Sequence, residues 1–179
     1  MTAAFAAAML LAGPPRFLGP PEKKPPEGEA AAVSPGDPAP SFGGKVENAE
    51  AAGVDRVELE ALSAGAKLVL ISFFSAASEA CRRELPVLQH LSTEYKGRGL
   101  RVVGVALERD AGPVLKENHV GYPMVEDPDQ RIARQYLGDA LRFPSLVIVD
   151  GGRKVVAVKK GYAADPATFL PAQVDALLR

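Results

Sequence analysis

The sequence predicts an α/β domain in which parallel crossovers come first and an antiparallel hairpin closes the chain. Three observations carry that prediction. Lys67 to Phe74 (KLVLISFF) and Leu100 to Leu107 (LRVVGVAL) are short, continuous apolar runs of β-type residues, as expected of strands buried on both faces. Between them Cys81, Leu85, Leu88, Leu91 and Tyr95 recur at helical spacing, so a helix joins the two strands. Near the C-terminus two Val/Ile runs flank Asp150-Gly151-Gly152, a short-range hairpin signal.

The elements follow in order from about residue 36. Gly97 and Gly99 end the helix that carries Cys81. After the second strand, Asp110 is placed to cap a short helix with Pro113 in its first turn and Gly121 closing it. Tyr122 to Val125 reads as a brief extended piece. Asp127 and Pro128 then make an N-cap and first-position pair, with Gln130 placed to reach back as in a capping box. That helix runs through Tyr136, and Gly138 terminates it. Ser145 to Val149 and Lys154 to Val158 form the hairpin, and Asp165-Pro166 start a last amphipathic helix through Phe169, Val174, Leu177 and Leu178. No internal repeat is present.

Residues 14–35 differ in kind. Nine of the 16 prolines fall between Pro14 and Pro40, and after Leu18 the segment has almost no large apolar residue. It cannot bury enough surface to offset chain entropy, so residues 14–35 are expected to be an extended tether. Residues 1–13 hold an apolar run from Ala3 to Gly13, too short for a bilayer-spanning helix of about 20 residues but of the length of a secretory signal core. The expectation is an exported domain, periplasmic or tethered to a membrane through its N-terminus. No Lys or Arg precedes the run and Pro14-Pro15 occupy the expected cleavage position, so an unstructured Ala-rich terminus on a cytoplasmic protein is the alternative.

Composition removes several function classes. The formal net charge of the 179 residues is −1, which argues against nucleic acid as a partner. One cysteine forbids an internal disulfide, a four-cysteine zinc site or a self-contained dithiol. With only His90 and His119 besides, both expected on the surface, no metal site and no cofactor are expected.

A buried strand running into a helix whose first turn carries the only cysteine resembles the thioredoxin-like superfamily. More narrowly, the chain is similar to the redoxin branch shared by alkyl hydroperoxide reductase/thiol-specific antioxidant proteins and the exported thioredoxins of cytochrome maturation. Gly36-Asp37-Pro38-Ala39-Pro40-Ser41-Phe42 resembles the branch's opening motif. Phe73 to Pro86 (FFSAASEACRRELP) resembles its active-site strand and helix. Asp127-Pro128-Asp129 and Phe143 to Asp150 (FPSLVIVD) resemble its later helix start and the loop before its hairpin. The resemblance implies a thioredoxin-like fold over residues 36–179, with a mixed central sheet flanked by helices on both faces and a C-terminal hairpin plus helix. It also implies Pro144 as the fold's cis-proline, beside a groove that holds extended substrate.

The active-site segment departs from that pattern. Dithiol members carry Trp before Cys-x-x-Cys; aligned on Cys81, those positions hold Ala77 and Ser78-Glu79-Ala80-Cys81, which puts Ser78 in place of the nucleophilic cysteine. Ala77, Glu79 and Ala80 differ together with Ser78, the mark of divergence and not of a single exchange. A serine hydroxyl without a general base does not attack a disulfide, so internal dithiol exchange is closed to this chain.

What remains is Cys81 on its own. It lies near the positive end of a helix, with Arg82 and Arg83 adding charge and Glu79 opposing it, which favours a thiolate. Ser78-x-x-Cys81 is also similar to the Thr/Ser-x-x-Cys of peroxiredoxins. Yet Phe74 stands where those have Pro, and Pro144 is kept where they have Arg, with Arg142 two residues away. The leading expectation is therefore a redoxin without its dithiol, capable at most of one-cysteine chemistry through Cys81 with Ser78: peroxide reduction, or a mixed disulfide with a protein thiol or disulfide partner. The alternative is a redox-inactive binding or scaffold module using Arg142, Phe143 and Pro144. The same residues have plain structural readings, Ser78 as a helix N-cap and Cys81 as a small buried hydrophobe. Glu108 and Arg109 fall near an acid kept by the cytochrome-maturation branch, though a solvated loop is the simpler expectation.

Overall fold

In the computed structural model, which describes residues 32–179, the chain is built on a five-stranded sheet ordered β5-β4-β3-β6-β7. The apolar segment 1–13 and nearly all of the expected tether lie outside the described residues. Strand β3 (Leu68–Phe74) is the centre, with all seven residues buried. It pairs in parallel with β4 (Leu100–Ala106), which pairs in parallel with β5 (Met124–Glu126). On its other side it pairs antiparallel with β6 (Ser145–Asp150), which forms the predicted hairpin with β7 (Val155–Lys160). The sheet is thus mixed, parallel on one side and antiparallel on the other, as expected.

Alternation along β3 divides the core in two. Leu68, Leu70 and Phe74 face α3 (Glu79–Glu94) and α6 (Pro166–Leu177), meeting Cys81, Leu85, Leu88, Leu91, Leu170 and Val174. Val69, Ile71 and Phe73 face α5 (Arg131–Leu137) and the N-terminal segment, meeting Ala133, Tyr136, Phe42 and Leu59. A small antiparallel pair, β1 (Gly43–Lys45) with β2 (Arg56–Glu58), flanks the helices α1 (Ala49–Ala52) and α2 (Leu59–Ser63). The packed chain reaches back to Val33, whose N–H donates to the carbonyl of Tyr136 at 2.9 Å.

Three local expectations are corrected. Asp110 does not cap α4 (Gly112–Glu117): it sits at φ 65°, and the Gly112 N–H donates instead to the Glu47 carboxylate at 3.1 Å, a partner 65 residues away that no local pattern reveals. Nor does Gly121 close that helix; the left-handed turn falls at His119, φ 52°. Asp127 and Gln130 do not form a capping box, because Gln130 itself is left-handed at φ 56°. The buried Asp127 carboxylate reaches across that turn to accept the N–H groups of Ile132 and Ala133 at 3.1 and 2.9 Å, satisfying the same orphan donors by another route.

Beyond the expected elements, the hairpin carries a bulge between Ile148 and Val149, where Val156 is the extra residue. Regular alternation would send Val155, Ala157 and Lys159 to one face. The bulge leaves Val155 among the α5-side residues and moves Ala157 to the α3 side. Lys159 follows Ala157.

Candidate functional site

The ends of β3, β4 and β7 and the start of β6 lie along one edge of the sheet, and every candidate residue is on that edge or just beyond it. Leaving β3, the chain passes through Ser75, Ala76 and Ala77 to Ser78, the N-cap of α3. Its Oγ accepts the Cys81 N–H at 3.3 Å, as the capping reading expects. Glu108, just past β4, is no solvated loop residue. Its two carboxylate oxygens take the Ser75 hydroxyl at 2.5 Å and the Ala76 N–H at 3.0 Å, so one acid fixes the first two residues of the loop that leads to Cys81. From the helix side, Arg82 donates to the Ala76 carbonyl at 2.6 Å, while Arg83 pairs with Glu79.

Cys81 is turned inward. It is 2% exposed, packed among Phe74, Leu85 and Leu88 on the α3 side of the sheet. Burial pushes its thiol above the ordinary value. The Ser78 hydroxyl and the Ser75 amide favour the thiolate but do not outweigh burial, and the charges of Glu84 and Glu108 push further up. The sequence-level expectation that helix and arginines would favour a thiolate is thereby reversed, because desolvation is the larger effect at this depth.

Opposite the loop, the peptide bond between Phe143 and Pro144 is cis, as the resemblance implied. Register puts Ser145 beside Phe73, so Pro144 and Phe143 lie alongside Phe74 and Ser75. The segment is held by its neighbours: the Ser145 hydroxyl donates to the Arg142 carbonyl at 2.6 Å, and the Gly161 N–H donates to the Pro144 carbonyl at 2.8 Å. Phe143 itself is half-buried and packs against both core clusters, yet its backbone N–H and C=O take no partner among the described residues. Arg142 is exposed, and its side chain has no partner among the described residues.

Sequence reasoning missed one pair entirely. Glu84, one turn after Cys81, is 1% exposed and forms an ion pair with Lys159, 8% exposed, at 3.0 Å. Burial pushes the Glu84 carboxyl up, and Lys159 together with the nearby Ala163 amide offsets part of that. Glu84 Oε2 and the Tyr122 hydroxyl are the buried side-chain atoms left without a partner among the described residues. No group of residues there could hold a metal ion, and no helix is long and apolar enough to cross a membrane.

The Redoxin family model matches residues 34–177. The chain belongs to the Redoxin family. Among curated relatives, the thiol-disulfide oxidoreductase ResA of Bacillus subtilis (strain 168) is 27% identical over 132 residues, covering 72% of this chain and 69% of ResA. Among solved structures, a putative thiol:disulfide interchange protein DsbE from Chlorobium tepidum superposes with a TM-score of 0.72 at 24% identity, over 83% of this chain and all of the other. A secreted disulfide oxidoreductase of Mycobacterium tuberculosis, described as homologous to E. coli DsbE, gives 0.61 at 17% identity, over 75% and 95%. This redoxin is therefore related to thiol-disulfide oxidoreductases and shares their thioredoxin-like fold.

Proposed function

We propose that this redoxin is a binding module that holds an extended polypeptide against the Phe143-Pro144 segment without exchanging thiols with it. The observation that carries the reading is a contrast along one edge. The only thiol is 2% exposed and pushed up, whereas the Phe143 N–H and C=O have no partner among the described residues, in a backbone segment that is otherwise fixed. Unpaired main-chain groups on an ordered segment accept an added strand by main-chain hydrogen bonds. Ser78, where the dithiol relatives are inferred to carry their attacking cysteine, serves as a helix cap. Pro144 is itself buried, so the half-buried Phe143 and the exposed Arg142 would face the occupant. An exported location fits the apolar run before Gly13 and the proline-rich segment after it, and fits the secreted relative.

One observation favours a second reading, one-cysteine chemistry at Cys81: the Ser78 hydroxyl and the Ser75 amide both act to stabilise its thiolate. A single experiment separates the two. The full chain is titrated with reduced, S-carboxymethylated insulin B chain while backbone amides are followed by NMR, and hydrogen peroxide consumption is measured on the same sample. The binding reading expects shifts at Phe143 and Ser145 and no peroxide loss above buffer. Peroxide consumed in step with Cys81 sulfenic acid, with the Phe143 amide unmoved, overturns it.

A further inference from the structure

Two buried oxygens on the α3 side of the sheet lack the partners that burial demands. Glu84 Oε1 is taken by Lys159 at 3.0 Å, but Oε2 of the same carboxylate accepts from no described residue, and the hydroxyl of the buried Tyr122 is likewise unpartnered. Buried polar groups in folded proteins almost always bond to protein or to ordered water, because an unsatisfied one loses its hydration and gains nothing. A buried ion pair is the most demanding case, since it persists only when the lone pairs it leaves over are also satisfied.

Register sets the two oxygens along one line. Gly104, Ser72, Leu146 and Lys159 are successive partners across β4, β3, β6 and β7, a row of three strand spacings or about 14 Å. Tyr122 covers the Gly104 end: a methyl group on Gly104 would lie 3.5 Å from the ring carbon Cε2, the neighbour of the carbon that bears the hydroxyl. Lys159 stands at the other end and gives its ammonium to Glu84, on the helix that covers the row. Between the ends lies the buried Ser72, which alternation along β3 turns toward α3 with Leu70 and Phe74. Each unpartnered, the carboxylate and the phenol stand farther apart than a direct hydrogen bond, a gap that one water molecule spans.

We infer that a single water molecule is bound between α3 and the sheet by Glu84 Oε2, Tyr122 Oη and Ser72 Oγ, as an integral part of the Glu84–Lys159 pair. Donors and acceptors balance. The carboxylate only accepts, so the water gives it one proton. Tyr122 keeps its own proton, because burial and then the charge of Glu84 push the phenol up, and donates it to the water oxygen. The second water proton goes to Ser72 Oγ. Three bonds are the usual complement of a buried water. The site does not depend on what the Phe143 segment binds.

The test is a crystal structure of the full chain at a resolution that orders internal water. A peak is expected at about 2.5 to 3.0 Å from each of Glu84 Oε2, Tyr122 Oη and Ser72 Oγ. In solution, oxygen-17 relaxation dispersion counts water molecules held far longer than those of the surface. Glu84→Leu/Lys159→Met, which removes the carboxylate and fills its space, is expected to hold one fewer than the wild type. The crystallographic arm needs no variant, so it decides even if the double variant does not fold. No peak among the three oxygens overturns the inference, whether Tyr122 Oη is found bonded directly to Glu84 Oε2 or the space is dry. An equal count of long-lived water in the two folded proteins overturns it as well.

Discussion

Replacing Lys159 by methionine tests the buried pair at its most exposed premise. The ammonium lies 3.0 Å from Glu84 Oε1, with side-chain exposures of 8% and 1%, so water cannot take its place. Removing one partner of such a pair leaves an uncompensated charge and costs about 3 to 5 kcal/mol. At about 2 to 4 °C per kcal/mol for a protein of this size, the melting temperature of Lys159→Met near neutral pH should fall by about 6 to 20 °C. Glu84 already titrates above its ordinary value of 4.5, and losing Lys159 raises it further. A group raised in the folded state contributes stability that is full below its unfolded value and lost as pH rises through the folded one. The deficit of Lys159→Met should therefore shrink as pH falls toward 4.5 and grow above it. Glu84→Leu/Lys159→Met should be neutral or stabilised by about 1 to 4 kcal/mol, which thermal unfolding followed by circular dichroism reads directly. A Lys159→Met deficit below about 1 kcal/mol at neutral pH, or one that does not change with pH, would refute the reasoning.

Other consequences are as direct. Cys81 in the native protein should react with iodoacetamide at least about tenfold more slowly than in urea, and the gap should persist as pH rises past 9.0, since burial raises the thiol. Ser78→Ala should cost about 0.5 to 2 kcal/mol in urea unfolding through loss of the α3 cap and leave peptide affinity unchanged. Glu108→Gln keeps one acceptor where two donors need one each, so it should cost about 1 to 3 kcal/mol and speed hydrogen exchange at Ala76.

Much of the architecture was legible in the sequence because it is written in local patterns. Continuous apolar runs gave β3 and β4, helical spacing gave α3, and a Gly-containing turn gave the β6-β7 hairpin. Asp165 caps α6 as expected, its side chain accepting the Thr168 N–H at 3.3 Å. Ser78 and Cys81 were placed correctly at the start of α3, and Pro144 in the cis bond. What was not legible depends on long-range geometry. Glu84 reads as the polar flank of an amphipathic helix, and Lys159 as the solvent side of a strand, until a one-residue bulge turns the second toward the first. Glu108 and Glu47 meet backbone donors 32 and 65 residues away, separations at which no motif operates. The three-residue strands β1 and β2, glycine-rich and charged, carry no periodic signal at all. Cys81 shows the same division: its helical position was evident, but whether the helix dipole or desolvation governs the thiol is decided by packing.

The central claim, that this redoxin binds an extended chain without using its sulfur, meets its most direct test in Cys81→Ala. Isothermal titration of that variant and of the wild type with reduced, S-carboxymethylated insulin B chain compares the two affinities under identical conditions. The account predicts dissociation constants equal within about twofold, since no bond to the sulfur contributes to binding. A loss of about tenfold or more in Cys81→Ala, with the fold intact, would contradict it.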